Sequence, residues 1–140
     1  MSEKFKRYLR CRIGQQWYGI DVDQVIEVLN LILFTEVLGA AAHVLGMMTL
    51  RAKVMPVLDL RVYFSLDDKR LNLDTPVISV ATAHKSIALV VDDVDDIIEV
   101  DTSMIIPNED NISPYIIASA RLPDYLLMLL HVDALGMDKQ

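Results

Sequence analysis

Asp92-Asp93-Val94-Asp95-Asp96 places four carboxylates within five positions, and such a density raises metal binding first. A calcium loop needs oxygens at alternating positions, a mid-loop glycine and a closing glutamate. Val94 interrupts this run and no glycine lies in it, so the sequence predicts a solvated acidic turn. His43, His84 and His131 stand in three unrelated contexts, without the ligand spacing of a zinc site. Cys11 is the one cysteine, which excludes an internal disulfide and fits a reducing compartment. It falls in an apolar strand pattern, so a buried, inert thiol is expected rather than a nucleophile. No serine sits in a glycine-flanked elbow, and the five glycines are dispersed, leaving no phosphate loop. The residues thus offer no catalytic group, no metal site and no cofactor site.

Surface recognition is the chemistry they do support. Arg51 falls between two apolar runs, one ending at Leu50 and one filling Val54 to Leu60. A guanidinium beside apolar surface is a frequent interface anchor. The plainer role for it is a surface ion pair with an aspartate, which contributes little to stability. Leu31-Ile32-Leu33-Phe34 and Met47-Met48 supply adaptable contact surface where exposed, and ordinary core where not. Presenting Arg51 requires a sharp corner, and the polar step Arg51-Ala52-Lys53 between apolar runs reads as strand, tight corner, strand. The second run is apolar on both faces, which calls for cover on both sides. Pro56 within it cannot donate to a ladder, which points to a sheet edge or a bulge. Asp59 and Arg61 frame its far end.

A chain of 140 residues has room for one ordinary domain, or for two very small units sharing a core. Hydrophobic residues make up 53% and the mean hydropathy is +0.33, an excess that contact patches would explain. The net charge of −7 argues against nucleic acid and anionic membrane as partners. Residues 28–50 are apolar enough to raise a membrane span. Glu36 near their middle would cost roughly 3 kcal/mol on insertion scales, and Asn30 and His43 add to that. No signal peptide is visible at the start, and a cytoplasmic protein without membrane insertion is expected.

In chain order, Tyr8 to Ile13 and Trp17 to Ile20 read as a hairpin around Gly14-Gln15-Gln16. Asp21 can cap a short helical turn over Val22-Asp23-Gln24, and Val25 to Leu33 reads as a strand containing Glu27. Ala40 to Leu45 suits a short helix stopped by Gly46. Asp67 to Asp74, ending in Pro76, is the best internal boundary. Val77 to Thr82 and Ile87 to Val91 form a second hairpin around Ala83-His84-Lys85. After the acidic turn, Ile97 to Val100 is a short strand and Pro107 to Pro114 a loop. Tyr115 to Leu122 and Leu126 to Val132 form a third hairpin, and Asp133 to Met137 leaves room for about one helical turn.

The pattern also repeats. Val25-Ile26-Glu27-Val28 recurs as Ile97-Ile98-Glu99-Val100, 72 residues on, each copy preceded by a hairpin and an aspartate-rich step. At that offset Leu50 falls on Leu122, and Val54 to Leu58 on Leu126 to Leu130. Each half holds about five short strands, too few to bury a core alone. Two small barrels packed together would resolve this.

With these motifs in order, the chain resembles the CheW family of chemotaxis coupling proteins, from about Tyr8 to Leu135. The resemblance is carried by Tyr18-Gly19-Ile20-Asp21, Val25-Ile26-Glu27-Val28, Gly46 with Leu50-Arg51, and Pro56-Val57-Leu58-Asp59-Leu60-Arg61. Val90-Val91-Asp92-Asp93-Val94 and Leu127 to Leu130 extend it into the second half. It implies a mostly-β single domain over residues 1–140. Two five-stranded barrels, divided near residues 67–76, would surround a shared hydrophobic core, and the C-terminal segment would return to the first barrel. It also implies a non-catalytic adaptor, without cofactor, between the regulatory domain of a CheA-type histidine kinase and the cytoplasmic tip of a methyl-accepting chemoreceptor. The receptor groove would be lined by Val25, Arg51, Val94 and Ile97, with Glu27 beside it. Leu50, Ala52, Pro56, Asp59 and Arg61 would form an accompanying binding or structural motif. The chain departs from the family pattern at Ala52, Ala118 and Ala120, where glycines are usual, at Ala41, where proline is, and at Pro76. Two other readings stay open, both for a regulatory domain of a non-chemotaxis kinase pathway such as a motility or pilus system. One is a small-molecule-binding β domain with a cavity between its halves, the other a domain that self-associates weakly through Leu31 to Phe34.

Overall fold

The computed structural model describes residues 4–30, 34–67, 71–108 and 113–137. The first hairpin forms where apolar residues alternate, β1 (Phe5–Ile13) turning at Gly14 into β2 (Gln16–Asp21). Asp21 then caps a 3-10 turn, Val22–Gln24, its side chain accepting from the Asp23 N–H at 2.9 Å, as the sequence predicts. There follow β3 (Val25–Asn30), β4 (Val44–Leu50), β5 (Lys53–Asp59) and a one-turn helix α1 (Leu60–Tyr63). The second half runs in the same sense. It comprises β6 (Pro76–Ala81), β7 (Ser86–Val90), β8 (Asp93–Asp101), a 3-10 turn Thr102–Met104, β9 (Ile105–Pro107), β10 (Ile116–Arg121), β11 (Leu126–Leu130) and α2 (Val132–Met137). Asp101 caps the second 3-10 turn as Asp21 caps the first.

The protein is mostly β, in two sheets. One has strand order β8-β1-β2-β11-β10-β9 and the other β3-β6-β7-β5-β4. One joint in each is parallel, β2 with β11 and β5 with β7. Neither sheet closes into the expected barrel by hydrogen bonding among the described residues. Burial explains why closure is not needed. Leu9, Cys11, Ile13, Tyr18 and Ile20 of one sheet and Leu58, Ile78, Val80, Ile87 and Leu89 of the other meet in a shared central cluster. The alternate residues face away from it. Tyr8, Val100, Ala118, Ala120, Leu127 and Leu129 form one outer cluster, and Met48, Met55, Val57, Val77, Ala88 and Val90 another. Both faces of β5 are therefore covered from Met55 to Leu58, as its two-sided apolar run requires.

Four expectations need correction. Ala40 to Leu45 is not a helix: the stretch turns and enters β4 at Val44, and Gly46 is a strand residue. Thr35 pairs with Met47 through both backbone groups, at 2.8 Å each, and this is possible because Gly46 leaves the space open. The acidic run is not a turn: from Asp93 it is the first half of β8, laid along β1. Third, of the edge or bulge that Pro56 allows, the edge is excluded, because β5 is interior. Pro56 stands opposite Met47, whose own N–H and C=O go to Thr35, and one position before the β7 ladder begins at Val57. The missing N–H thus falls where the ladder does not need it, beside an irregularity in β4. Finally, Leu60 opens α1 instead of ending a strand, because Asp59 accepts from the Arg61 N–H at 3.0 Å and caps it. Leu31 to Leu33 lie outside the described residues, and Phe34 packs partly buried against an outer cluster. No helix among the described residues is long and apolar enough to cross a membrane; residues 44–50 are strand β4 instead.

The chain passes between the sheets twice. It leaves β2 for β3 at Asp21 to Gln24, and leaves β7 for β8 at Val91 and Asp92. Both passages lead straight into an outermost strand of the sheet they enter.

Candidate partner-binding site

Arg51 and Ala52 form a two-residue corner closed by the Leu50–Lys53 pair, with φ of 51° and 66° respectively. Two successive positive φ values are the signature of a type I′ hairpin turn, whose twist matches the flanking strands. Glycine or asparagine usually occupies such positions; Ala52 bears its Cβ there at a cost of about 1 kcal/mol. The corner aims Arg51 across the sheet at Glu27, with Nε to Oε1 at 2.7 Å and Nη2 to Oε2 at 3.4 Å. This hydrogen-bonded contact raises the guanidinium pKa above its usual value. Arg51 remains 76% exposed and Glu27 27% exposed along their side chains.

Glu27 is itself fixed from behind. The β3–β6 ladder shifts register between Val25 and Glu27, and the fully buried Ser79 fills the irregularity. The Glu27 N–H donates to Ser79 Oγ at 3.2 Å, and the Ser79 hydroxyl donates to the Glu27 carbonyl at 3.3 Å. Val25, just before the shift, packs on the central cluster. Two neighbours that sequence reasoning did not single out, Ile26 and Val28, stand 45% and 46% exposed on the same strand. The signal was present as unbroken apolarity around Glu27, but only the position of β3 at a sheet edge turns it into surface.

On the other sheet, Val94 lies opposite Cys11 and packs on the same central cluster as Val25. Ile97 lies opposite Leu9 and is 50% exposed. The structure therefore brings Glu27 and Arg51 into direct contact, and sets Val25 and Val94 on one cluster from opposite sheets. Ile97 stands on β8, the outermost strand of the other sheet. Leu50 packs on an outer cluster, Pro56 is buried and Asp59 caps α1, so these three have structural work.

The acidic residues pair with arginines from β1 and α1. Asp93 receives Arg12 Nη2 at 2.7 Å, Asp95 receives Arg10, and Asp92 receives Arg61. Arg10 also donates to the Tyr125 hydroxyl at 2.7 Å and lies over the Trp17 ring. Burial pushes the Cys11 thiol up to about 12, which leaves it protonated and unreactive at neutral pH. A cleft of about 230 Å³ is lined by Phe5, Lys6, Arg7, Asp21, Val22 and Asp23, and another of about 440 Å³ lies between Lys53, Val54 and the β6–β7 turn.

A family model for the CheW-like domain matches residues 7–139. The chain is 25% identical over 134 residues to a chemotaxis protein CheW of Klebsiella aerogenes, covering 93% of this chain and 81% of that one. It is 31% identical over 74 residues to a chemotaxis protein CheW of Helicobacter pylori, covering 53% of this chain and 45% of the relative. Its fold is similar to that in the crystal structure of the scaffolding protein TtCheW from Thermoanaerobacter tengcongensis. The TM-score there is 0.81 at 23% identity, over 89% of this chain and 88% of that one.

Proposed function

This chain belongs to the CheW-like domain family, and on that premise we propose that it is a non-catalytic adaptor coupling a CheA-type histidine kinase to chemoreceptors. The observation that carries the reading is the Glu27–Arg51 fork. A largely exposed guanidinium is held in one direction by a carboxylate on the strand that exposes Ile26 and Val28. A fixed, planar donor suits a charged side chain of a partner helix. Ile26 and Val28, alternating with Glu27 along the same strand, add exposed apolar surface at that sheet edge. The receptor-facing surface is then Val25, Glu27 and Arg51 on one sheet with Val94 and Ile97 on the other. The kinase regulatory domain takes a separate surface. The adaptor works in the cytoplasm, and its net charge of −7 keeps it from nucleic acid.

The test is co-sedimentation with a receptor cytoplasmic-tip fragment, together with binding to a purified kinase regulatory domain. The reading requires both partners to bind, and the receptor fragment to be lost on Arg51→Glu. Absence of binding to either partner by the wild-type chain overturns it.

A further inference from the structure

The second passage between the sheets is pinned by a shielded ion pair. Arg61 and Asp92 are 17% and 6% exposed along their side chains. Arg61 Nε meets Asp92 Oδ1 at 3.0 Å and Nη2 meets Oδ2 at 2.5 Å, while the Gly14 N–H donates to Oδ2 at 2.7 Å. The Asp92 N–H donates to the Arg12 carbonyl at 2.9 Å, and Arg61 Nη1 donates to the Asp67 carbonyl at 2.8 Å. One carboxylate thus gathers the end of β5 through α1, the β1–β2 turn and the point where β7 gives way to β8. These belong to both sheets. Val94 follows two residues later and Ile97 three after that.

We propose that Arg61 and Asp92 are positioning residues for the partner site: their fork sets where β8, with Val94 and Ile97, stands relative to β3, without either residue touching the partner. This rests on the coupling reading for the partner's identity. A two-point guanidinium–carboxylate contact fixes angle as well as distance, whereas a lysine ammonium supplies only the charge. The first passage is held in a comparable way, by the Asp21 cap and by Gln24 donating to Asp133 at 3.1 Å. The two walls of the site therefore each begin at a pinned crossing.

Arg61→Lys separates positioning from charge. Spin labels on Val28→Cys and Ile97→Cys, both exposed positions, report the spacing of β3 and β8, because the buried Cys11 does not take label in the folded chain. With Arg61 present the distance distribution should be narrow; Arg61→Lys should shift or broaden it while the chain stays folded by circular dichroism. In label-free protein, the same change should weaken receptor-fragment binding about tenfold and leave kinase-domain binding within about twofold. Asp92→Asn is the second variant and should behave alike. An unchanged distance distribution overturns the proposal, as does equal weakening toward both partners, or unchanged receptor binding despite shifted distances. If the wild-type chain binds no receptor fragment, the coupling reading falls, and the label distances still decide whether the fork places β8.

Discussion

Thr35 lies against Gly46 so closely that any side chain at position 46 would run into its carbonyl oxygen. The obstacle is backbone, held by two hydrogen bonds to Met47, and it has nowhere to yield. Gly46→Ala should therefore destabilise the protein by about 2 kcal/mol or more, as overpacking does. Were Gly46 the glycine that stops a short helix, as the local sequence suggests, the same change would cost only about 1 kcal/mol. Urea unfolding reads the size of the loss directly.

The corner next to it answers in the opposite direction. Ala52 has φ 66°, so Ala52→Gly relieves a left-handed alanine, and its gain of about 1 kcal/mol is reduced by the extra freedom glycine brings to the unfolded chain. A rise of a few degrees in the thermal midpoint is expected, and Ala52→Val should lower it. A fall on Ala52→Gly would show that the corner is not left-handed in solution.

Arg51→Glu places a carboxylate opposite Glu27 on an open surface. Exposed pairs contribute little to stability, so the unfolding midpoint should hardly move. Co-sedimentation with a receptor fragment should be lost. Survival of that binding at moderate salt would remove Arg51 from the site.

Cys11 supplies a pH dependence. Its thiol ionises near 9 when unfolded and about 12 when buried, so the folded chain holds the proton more tightly. The resulting stability is complete below pH 9 and is lost as pH rises toward 12. In all it amounts to about 4 kcal/mol, at 1.36 kcal/mol for each unit. Stability measured from pH 8.5 upward should decline in wild type and decline less in Cys11→Ala. Iodoacetamide should label Cys11 only after denaturant is added.

The hairpins were legible because their alternation and their turns are local. Cys11 in an apolar strand and Asp21 at a cap were legible for the same reason. The errors share one cause, a partner far away along the chain. The acidic run looks like a solvated turn until Arg10 and Arg12, more than eighty residues earlier, are seen beside it. Three alanines before Gly46 look helical until Thr35 is seen to fill the space. Glu27 and Arg51 could each be named, but their contact spans two different connections and a register shift that only Ser79 explains. Exposure of Ile26 and Val28 follows from β3 lying outermost in its sheet, which no local pattern encodes.

The strand order has a consequence for synthesis. The β3-β6-β7-β5-β4 sheet is built from one unbroken span of the chain, whereas the other sheet joins β1 and β2 to β8 through β11. A ribosome therefore delivers the whole of the first set of strands while the opening hairpin still waits, its Leu9, Cys11 and Ile13 partly covered at best. The last hairpin must then arrive and form its parallel joint with β2 before that sheet is complete. Such long-range pairing is the slow step in β folding. A nascent chain stalled after β7 would thus hold one finished sheet and one loose ribbon, and the ribbon is where a chaperone would bind.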